Sequence, residues 1–283
     1  MSAASPSSPL PVVAAPTVAT RVPARPRLAR VESFAATSVG RRESNEDGLL
    51  HLSAQGLFSV ADGMGGYEGG EVASQIVVET LQQVYERLRA DADATFPWRL
   101  DREKTLEENL LVAAIRLANR AIIARRVGPL RDMGSTVVAM VLGERSVVLA
   151  HVGDSRIYRL RGGELSAMTR DHSLYEEARS AGFGDMMRSK RDCPYANVIT
   201  RALGLAERAE PDVRTVDIER GDIFLLCSDG LSDPLSEEGL AELLRGAAAS
   251  SKNALKDTTE ALIRAAYDAG GRDNISAIVV RVL

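Results

Sequence analysis

Four aspartates recur in one setting, at a terminus of an apolar run and beside glycine or asparagine. They are Asp62 in Val60-Ala61-Asp62-Gly63, Asp154 in His151-Val152-Gly153-Asp154, Asp229 in Leu226-Cys227-Ser228-Asp229-Gly230, and Asp273 in Asp273-Asn274-Ile275-Ser276. A fifth acidic element, Asn45-Glu46-Asp47, precedes the β-prone run Gly48–Ser53. Any one of these is equally a turn dipeptide, because Asp-Gly and Asp-Asn suit strand ends. The set asks for more, since runs such as Leu57–Ala61 and Ile223–Cys227 are apolar right up to the acid. Strands of that kind lie centrally in a sheet, so their ends converge on one edge. Carboxylates gathered there repel one another and hold their protons unless a cation neutralises them.

Donor type selects the cation. Carboxylate, carbonyl and water oxygens suit Mg²⁺ or Mn²⁺, and His51, His151 and His172 are scattered without zinc-ligand spacing. Two such ions sharing a carboxylate would hold a bridging hydroxide and clamp the oxygens of an in-line phosphoryl displacement. An acidic pocket does not attract phosphate unaided. Arg42, in the loop before Asp47, is placed for bidentate phosphate recognition. The alternative is a solvated loop arginine beside Arg41.

The elements that would position these groups are strand-rich at first: Val31–Ser38, Gly48–Ser53 and Leu57–Ala61. After Gly65-Gly66 and Gly69-Gly70, apolar residues at Val72, Ile76, Val77, Leu81, Val84 and Leu88 predict a helix over Glu71–Arg89. A loop with Pro97 and Trp98 leads to a second helix, Leu106–Arg126. Strands return at Ser135–Leu142, Ser146–His151, Ser155–Leu160 and Glu164–Thr169, and a basic excursion containing Ala181–Arg191 follows. Val213–Ile218 and Ile223–Cys227 as strands, Ser236–Gly246 and Asn253–Ala269 as helices, and Ile275–Val282 as a strand complete the pattern. Strands in hairpin groups and helices in consecutive pairs argue for antiparallel sheets with helices outside, not a Rossmann-type fold.

Composition narrows the function class. The 283 residues are 45% hydrophobic and 26% charged, ordinary for a globular chain. No apolar run approaches the ~18 residues of a membrane helix. Cys193 and Cys227 are the only cysteines, which suits a reducing cytoplasm better than a disulfide scaffold. Residues 1–30 hold four arginines, six of the eleven prolines and no acid, so the net charge of −4 leaves −8 for the remainder. That leader reads as disordered, and prolines breaking Leu10 to Ala19 argue against a secretory signal. Nucleic acid is not an expected partner of the acidic remainder.

A family resemblance rests on nine motifs in order across residues 40–282. They are Gly40-x-Arg42-x-x-Asn45-Glu46-Asp47, Val60-Ala61-Asp62-Gly63-Met64-Gly65-Gly66, Gly70-Glu71-x-Ala73-Ser74, Gly134-Ser135-Thr136, His151-Val152-Gly153-Asp154-Ser155-Arg156, Thr169-x-Asp171-His172-Ser173, Asn197-Val198-Ile199-Thr200-Arg201-Ala202-Leu203-Gly204, Ser228-Asp229-Gly230-Leu231 and Asp273-Asn274-Ile275. They resemble those of bacterial metal-dependent Ser/Thr protein phosphatases of the 2C (PPM) family. The resemblance implies an α+β fold: a β-sandwich of two antiparallel sheets flanked by antiparallel helix pairs, in one domain over 31–283 with a flap at about 173–197. It implies two Mn²⁺ or Mg²⁺ ions, with Asp62 bridging them, the Gly63 carbonyl on one, and Asp229 and Asp273 completing the other. Asp47, with Glu46 beside it, would bind the metals or their waters, and Asp154 with Asp229 would hold a third ion. Phosphorylated proteins would be the substrates, with a Ser/Thr kinase as the opposing enzyme. A cytoplasmic monomer that binds neither nucleic acid nor membrane is expected.

The chain departs from relatives at two positions where histidine can stand, here Met64 and Tyr67. No ligand position is lost, which separates the chain from a non-catalytic phosphoprotein-binding module; a small-molecule dimetal phosphoesterase would not need a basic flap. The Gly-Gly-Tyr-Glu-Gly-Gly-Glu run lacks the Gly-Lys-Ser/Thr of a P-loop and reads as a tight turn and helix start. Asp171-His172-Ser173 has no nucleophile elbow, so Asp171 is expected to cap the next helix. Cys227 belongs to the core, and Cys193 lies in the flap.

Overall fold

The computed structural model describes residues 28–66, 68–90, 100–183, 195, 198–249 and 251–283. Tyr67, Trp98, Cys193, Asn197, most of the leader and much of the expected flap lie outside the described residues.

Two antiparallel sheets stack face to face. One holds β1 (Val31–Ser38), β11 (Ile275–Val282), β10 (Ile223–Cys227), β7 (Arg156–Arg161) and β8 (Glu164–Ala167), in that order. The other runs β2 (Asp47–Leu52), β3 (Leu57–Met64), β5 (Val137–Leu142), β6 (Ser146–Val152) and β9 (Asp212–Asp217), with β4 (Gly134–Ser135) paired to the end of β3. Strand periodicity sends alternate side chains to opposite faces, and β5 shows the result. Val138, Met140 and Leu142 enter the layer between the sheets, while Val137, Ala139 and Val141 face the outer helices. In β10, Phe224 and Leu226 point inward and Ile223, Leu225 and Cys227 outward. Burial on both faces explains why these strands read as unbroken apolar runs.

Helices α1 (Gly69–Ala90) and α2 (Leu106–Arg125) cover the β2–β9 sheet. Thr105 and Glu108 cap α2 reciprocally, so two otherwise orphaned N–H groups are satisfied at its start. Short α3 (Leu174–Ala178) and α4 (Asp229–Ser232) follow, and α5 (Glu237–Arg245) and α6 (Ala254–Asp268) pack on the other sheet. The expected α-β-β-α layering is the observed one.

Local differences have local causes. Residues 28–30, grouped with the leader, are tied to the body through Ala29 N–H to Gly143 O (2.8 Å) and Leu283 N–H to Arg30 O (2.9 Å). The strand expected over Glu164–Thr169 stops at Ala167, because the Thr169 hydroxyl accepts the Ile157 N–H at 3.0 Å in place of the backbone. Asp171 does not cap α3. Ser173 does, accepting from the Glu176 N–H, while Asp171 forms a two-pronged pair with Arg156 at 2.8 and 2.6 Å.

Candidate metal centre

Strand register brings the acids together. In the β2–β3 pair, Asp47 stands directly opposite Asp62, so both project from one end of the sheet. Asp229 begins α4 immediately after β10, and Asp273 immediately precedes β11, which pairs with β10. The two sheets are fastened at this end by Ser228, whose hydroxyl donates to Asp47 Oδ2 at 2.9 Å. Its backbone N–H reaches Ser276 O at 3.2 Å.

Around this end the loops are held by backbone-directed bonds. Asn274 donates from Nδ2 to the carbonyls of Val39 and Ser44 at 3.0 and 2.9 Å, and its Oδ1 accepts the Glu46 N–H at 2.8 Å. The Gly63 N–H donates to Glu46 O at 3.1 Å. A Cβ on Gly63 would stand 2.0 Å from the Gly70 carbonyl, so only glycine lets β3 pass the start of α1 this closely. Thr136 fixes Asp62 from the other side: its hydroxyl accepts the Asp62 N–H at 3.0 Å and meets the Ser155 hydroxyl at 2.7 Å.

The electrostatics favour a cation at this end of the sandwich. Burial holds the Asp62 carboxyl well above the usual range, and the charges of Asp229, Asp47 and Asp154 add to it, as does a carboxyl–carboxyl hydrogen bond with Asp229. Burial pushes Asp47 up to about 7, with Asp229 and Asp273 reinforcing the shift against hydrogen bonds from Ser276 and Ser228. Glu46 is raised by burial first, although the Arg42 guanidinium pulls in the opposite direction. Asp47 Oδ1 is buried with no hydrogen-bond partner. An orphaned carboxylate oxygen amid mutually repelling acids fits hard divalent cations with oxygen ligands.

The sequence-derived residues therefore separate into two groups. Asp47, Asp62, Asp154 and Asp229 form the inner cluster, within which Asp62 feels the other three. Asp273, Glu46 and Arg42 form its rim, where Arg42 Nη2 lies 2.8 Å from Asp273 Oδ2 and its Nε donates to Arg272 O at 3.1 Å. Ser228 and Thr136 stand within the ordered motifs. Their hydroxyls hold the aspartates, which a Ser-Asp or Ser-Thr pair in sequence does not reveal.

A second constellation went unrecognised. His151, His172 and Asp212 bring three ligand-type atoms within 4.8 Å of one another. The hydrogen bonding argues against a cation there. Gly153 donates its N–H to His172 Nδ1 at 3.1 Å, which places the imidazole proton on Nε2, facing Asp212 Oδ2 at 3.4 Å. Arg201 occupies the other Asp212 oxygen at 3.0 Å. Burial, with Arg201 and His151 nearby, pushes His172 down to about 4 and keeps it neutral.

Comparisons with known proteins agree with this geometry. Residues 38–264 match the family model described as protein phosphatase 2C. The chain is 34% identical over 255 residues to the serine/threonine phosphatase stp of Listeria innocua, covering 86% of this chain and 93% of that one. It superposes on the Mycobacterium tuberculosis serine/threonine phosphatase PstP/Ppp with a TM-score of 0.74 and 32% identity, over 89% of this chain and 98% of that one. A structure of the PstP catalytic domain in complex with two manganese ions gives a TM-score of 0.73 at 32% identity, with the same coverage. The family match and the similarity along nearly the whole chain agree with the fold, and the chain belongs to the protein phosphatase 2C family.

Proposed function

We propose that this chain hydrolyses phosphoserine and phosphothreonine in proteins, using divalent metal held by Asp47, Asp62, Gly63, Asp229 and Asp273, with Asp154 as ligand to an additional ion and Glu46 at the margin. The observation that carries the reading is the convergence of Asp47, Asp62, Asp154 and Asp229 at one end of the sandwich, with Arg42 at its rim. When bound, Mn²⁺ or Mg²⁺ supplies Lewis acidity and an activated water. The PstP structure with two manganese ions supports that choice of metal.

The chain's own groups do the rest. Asp62 is fixed through its backbone by Thr136, so its carboxylate enters the cluster at a set angle. Ser228 orients Asp47 by donating to Oδ2, leaving Oδ1 for a ligand. Arg42 offers a planar fork to a phosphoryl group arriving beside Asp273. Phosphoproteins are the substrate class, a Ser/Thr kinase is the opposing enzyme, and the chain works as a cytoplasmic monomer. No helix among the described residues is long and apolar enough to cross a membrane.

The direct test uses phosphothreonine peptides and p-nitrophenyl phosphate. Turnover is expected to require added Mn²⁺ or Mg²⁺ and to vanish with EDTA. Full turnover in a sample shown to be metal-free by elemental analysis would refute the reading.

A further inference from the structure

His172 is 3% exposed and belongs to none of the groups assigned above. It grips a single residue at two points. Its backbone N–H donates to Gly153 O at 2.9 Å, and its ring Nδ1 accepts the Gly153 N–H at 3.1 Å. Gly153 immediately precedes Asp154 and has a φ of +108°. A Cβ there would stand 2.6 Å from the Thr136 side chain, so the turn carrying Asp154 depends on a conformation that side-chain-bearing residues rarely adopt. Such a conformation persists only where its surroundings impose it.

Other contacts hold His172 in turn. Its ring stacks on His151 at 4.5 Å between centroids, and His151 Nε2 is bonded to Arg170 O at 2.8 Å. The His172 carbonyl accepts the Thr200 N–H at 2.8 Å, and the next residues pair with the same segment through Leu174 N–H to Val198 O at 2.9 Å. One buried residue thus joins the Asp154 turn, through its ring and N–H, to residues 198–200, through its carbonyl.

We propose that His172 is the positioning residue for Asp154: its Nδ1 holds the Gly153 peptide so that the Asp154 carboxylate stands beside Asp62, while its backbone carbonyl ties that placement to residues 198–200. The proposal rests on the reading of Asp154 as a metal ligand. Loss of the Nδ1 acceptor leaves the Gly153 N–H buried and unbonded, which frees the turn to rearrange. The nearest measured parallel is the loss of a hydrogen bond that orients a metal ligand, which weakens metal affinity by roughly 10–100-fold.

Two amides separate the ring's two nitrogens. The Oδ1 of His172→Asn can occupy the place of Nδ1, while the amide of His172→Gln reaches the place of Nε2 and leaves Nδ1 empty. Mn²⁺ binding to the purified protein is measured by calorimetry and electron paramagnetic resonance, with Asp154→Asn as the reference for a lost ion. Expected are near-wild-type binding in His172→Asn and at least a tenfold weakening of the ion lost in Asp154→Asn in His172→Gln. Equal affinity in the two His172 variants overturns the proposal. If Asp154→Asn leaves Mn²⁺ stoichiometry and affinity unchanged, the ligand reading of Asp154 itself fails. Long-range ¹⁵N–¹H spectra of the wild-type protein give a reading independent of any variant's folding. They are expected to show His172 as the Nε2–H tautomer, and an Nδ1–H tautomer overturns the proposal.

Discussion

Arg42 Nη2 stands 2.8 Å from Asp273 Oδ2, so the residue proposed to bind phosphate is paired with one proposed to bind metal. Both side chains are about half exposed, and a pair of that kind contributes about 0–1 kcal/mol. A cation held by Asp273 would compete with Arg42 for the carboxylate and would leave its guanidinium free for phosphate. Arg42→Ala is therefore expected to tighten Mn²⁺ binding by at most about fivefold and to raise KM more than it lowers kcat, because a ground-state contact is lost. An unchanged KM would return Arg42 to the role of a solvated loop residue.

Asp62→Asn, Asp229→Asn and Asp273→Asn are each expected to remove nearly all turnover. Their effects on the metal-free fold should differ. Asp62 lies within the mutually repelling cluster, whereas Asp273 is already paired with Arg42. Removing one charge from the cluster relieves repulsion, so metal-free Asp62→Asn should melt above the wild type and Asp273→Asn should not. Unfolding of all three variants would support the view that these aspartates only make turns.

Burial of these carboxyls, reinforced by their repulsion, gives a pH signature. Metal-free folded protein keeps a proton on Asp47 up to about 7, whereas the unfolded chain releases it near 3.8. The folded state binds more protons across that window, so this contribution is present at low pH and is lost as pH rises through about 7. His151 and His172, both lowered, act oppositely, adding stability as pH rises toward 6.5. Between 6.5 and about 8 the carboxylates act alone, and Tm should fall by about 2–4 °C. Mn²⁺ binding in that window should release protons, measurable as a dependence of the calorimetric heat on buffer ionisation enthalpy. A flat Tm with no proton release would contradict the raised carboxyls.

Asp171 offers a test of fold rather than chemistry. It is 7% exposed and holds Arg156, itself 18% exposed, whose guanidinium is raised further by that partner despite burial. Asp171→Asn removes the two-pronged partner of Arg156 and leaves it beside Asp233 at 3.4 Å and the Tyr158 hydroxyl at 3.3 Å, a loss of about 1.5–3 kcal/mol for the hydrogen bonds to a charged group, whereas Ser173→Ala removes only a helix cap, about 1 kcal/mol. Chemical denaturation should rank them in that order; the reverse order would restore Asp171 as the cap.

These residues also show what was legible in the sequence. The central place of β5 and β10 is written in residue type, because both faces are buried and the runs are unbroken, but which residues face the partner sheet is not. The acids were visible as strand-end aspartates, and their convergence followed from the central position of those strands. The partner of Asp171 was not visible, because Arg156 lies across the β7–β8 hairpin and competes with a helix start two residues away. Nor was the task of Thr136, whose hydroxyl joins Asp62 to Ser155 across separations of 74 and 19 residues. Side-chain bonds to distant backbone leave no periodicity to read.

The leaving alkoxide needs a proton. A positioned acid is worth roughly 10²–10⁴-fold. Met64, where relatives can place histidine, has no proton to give. All three histidines are engaged elsewhere: His51 with the Ser33 hydroxyl at 2.8 Å, His151 with Arg170 O, and His172 with the Gly153 amide. Water in the cleft is then the expected donor, and kcat/KM should fall steeply as leaving-group pKa rises across aryl and alkyl phosphates. Met64→His should flatten that slope by supplying an acid, and Tyr67→Phe should leave it alone. If Tyr67→Phe instead abolishes turnover of phosphoserine peptides while sparing p-nitrophenyl phosphate, the proton comes from Tyr67 and not from water.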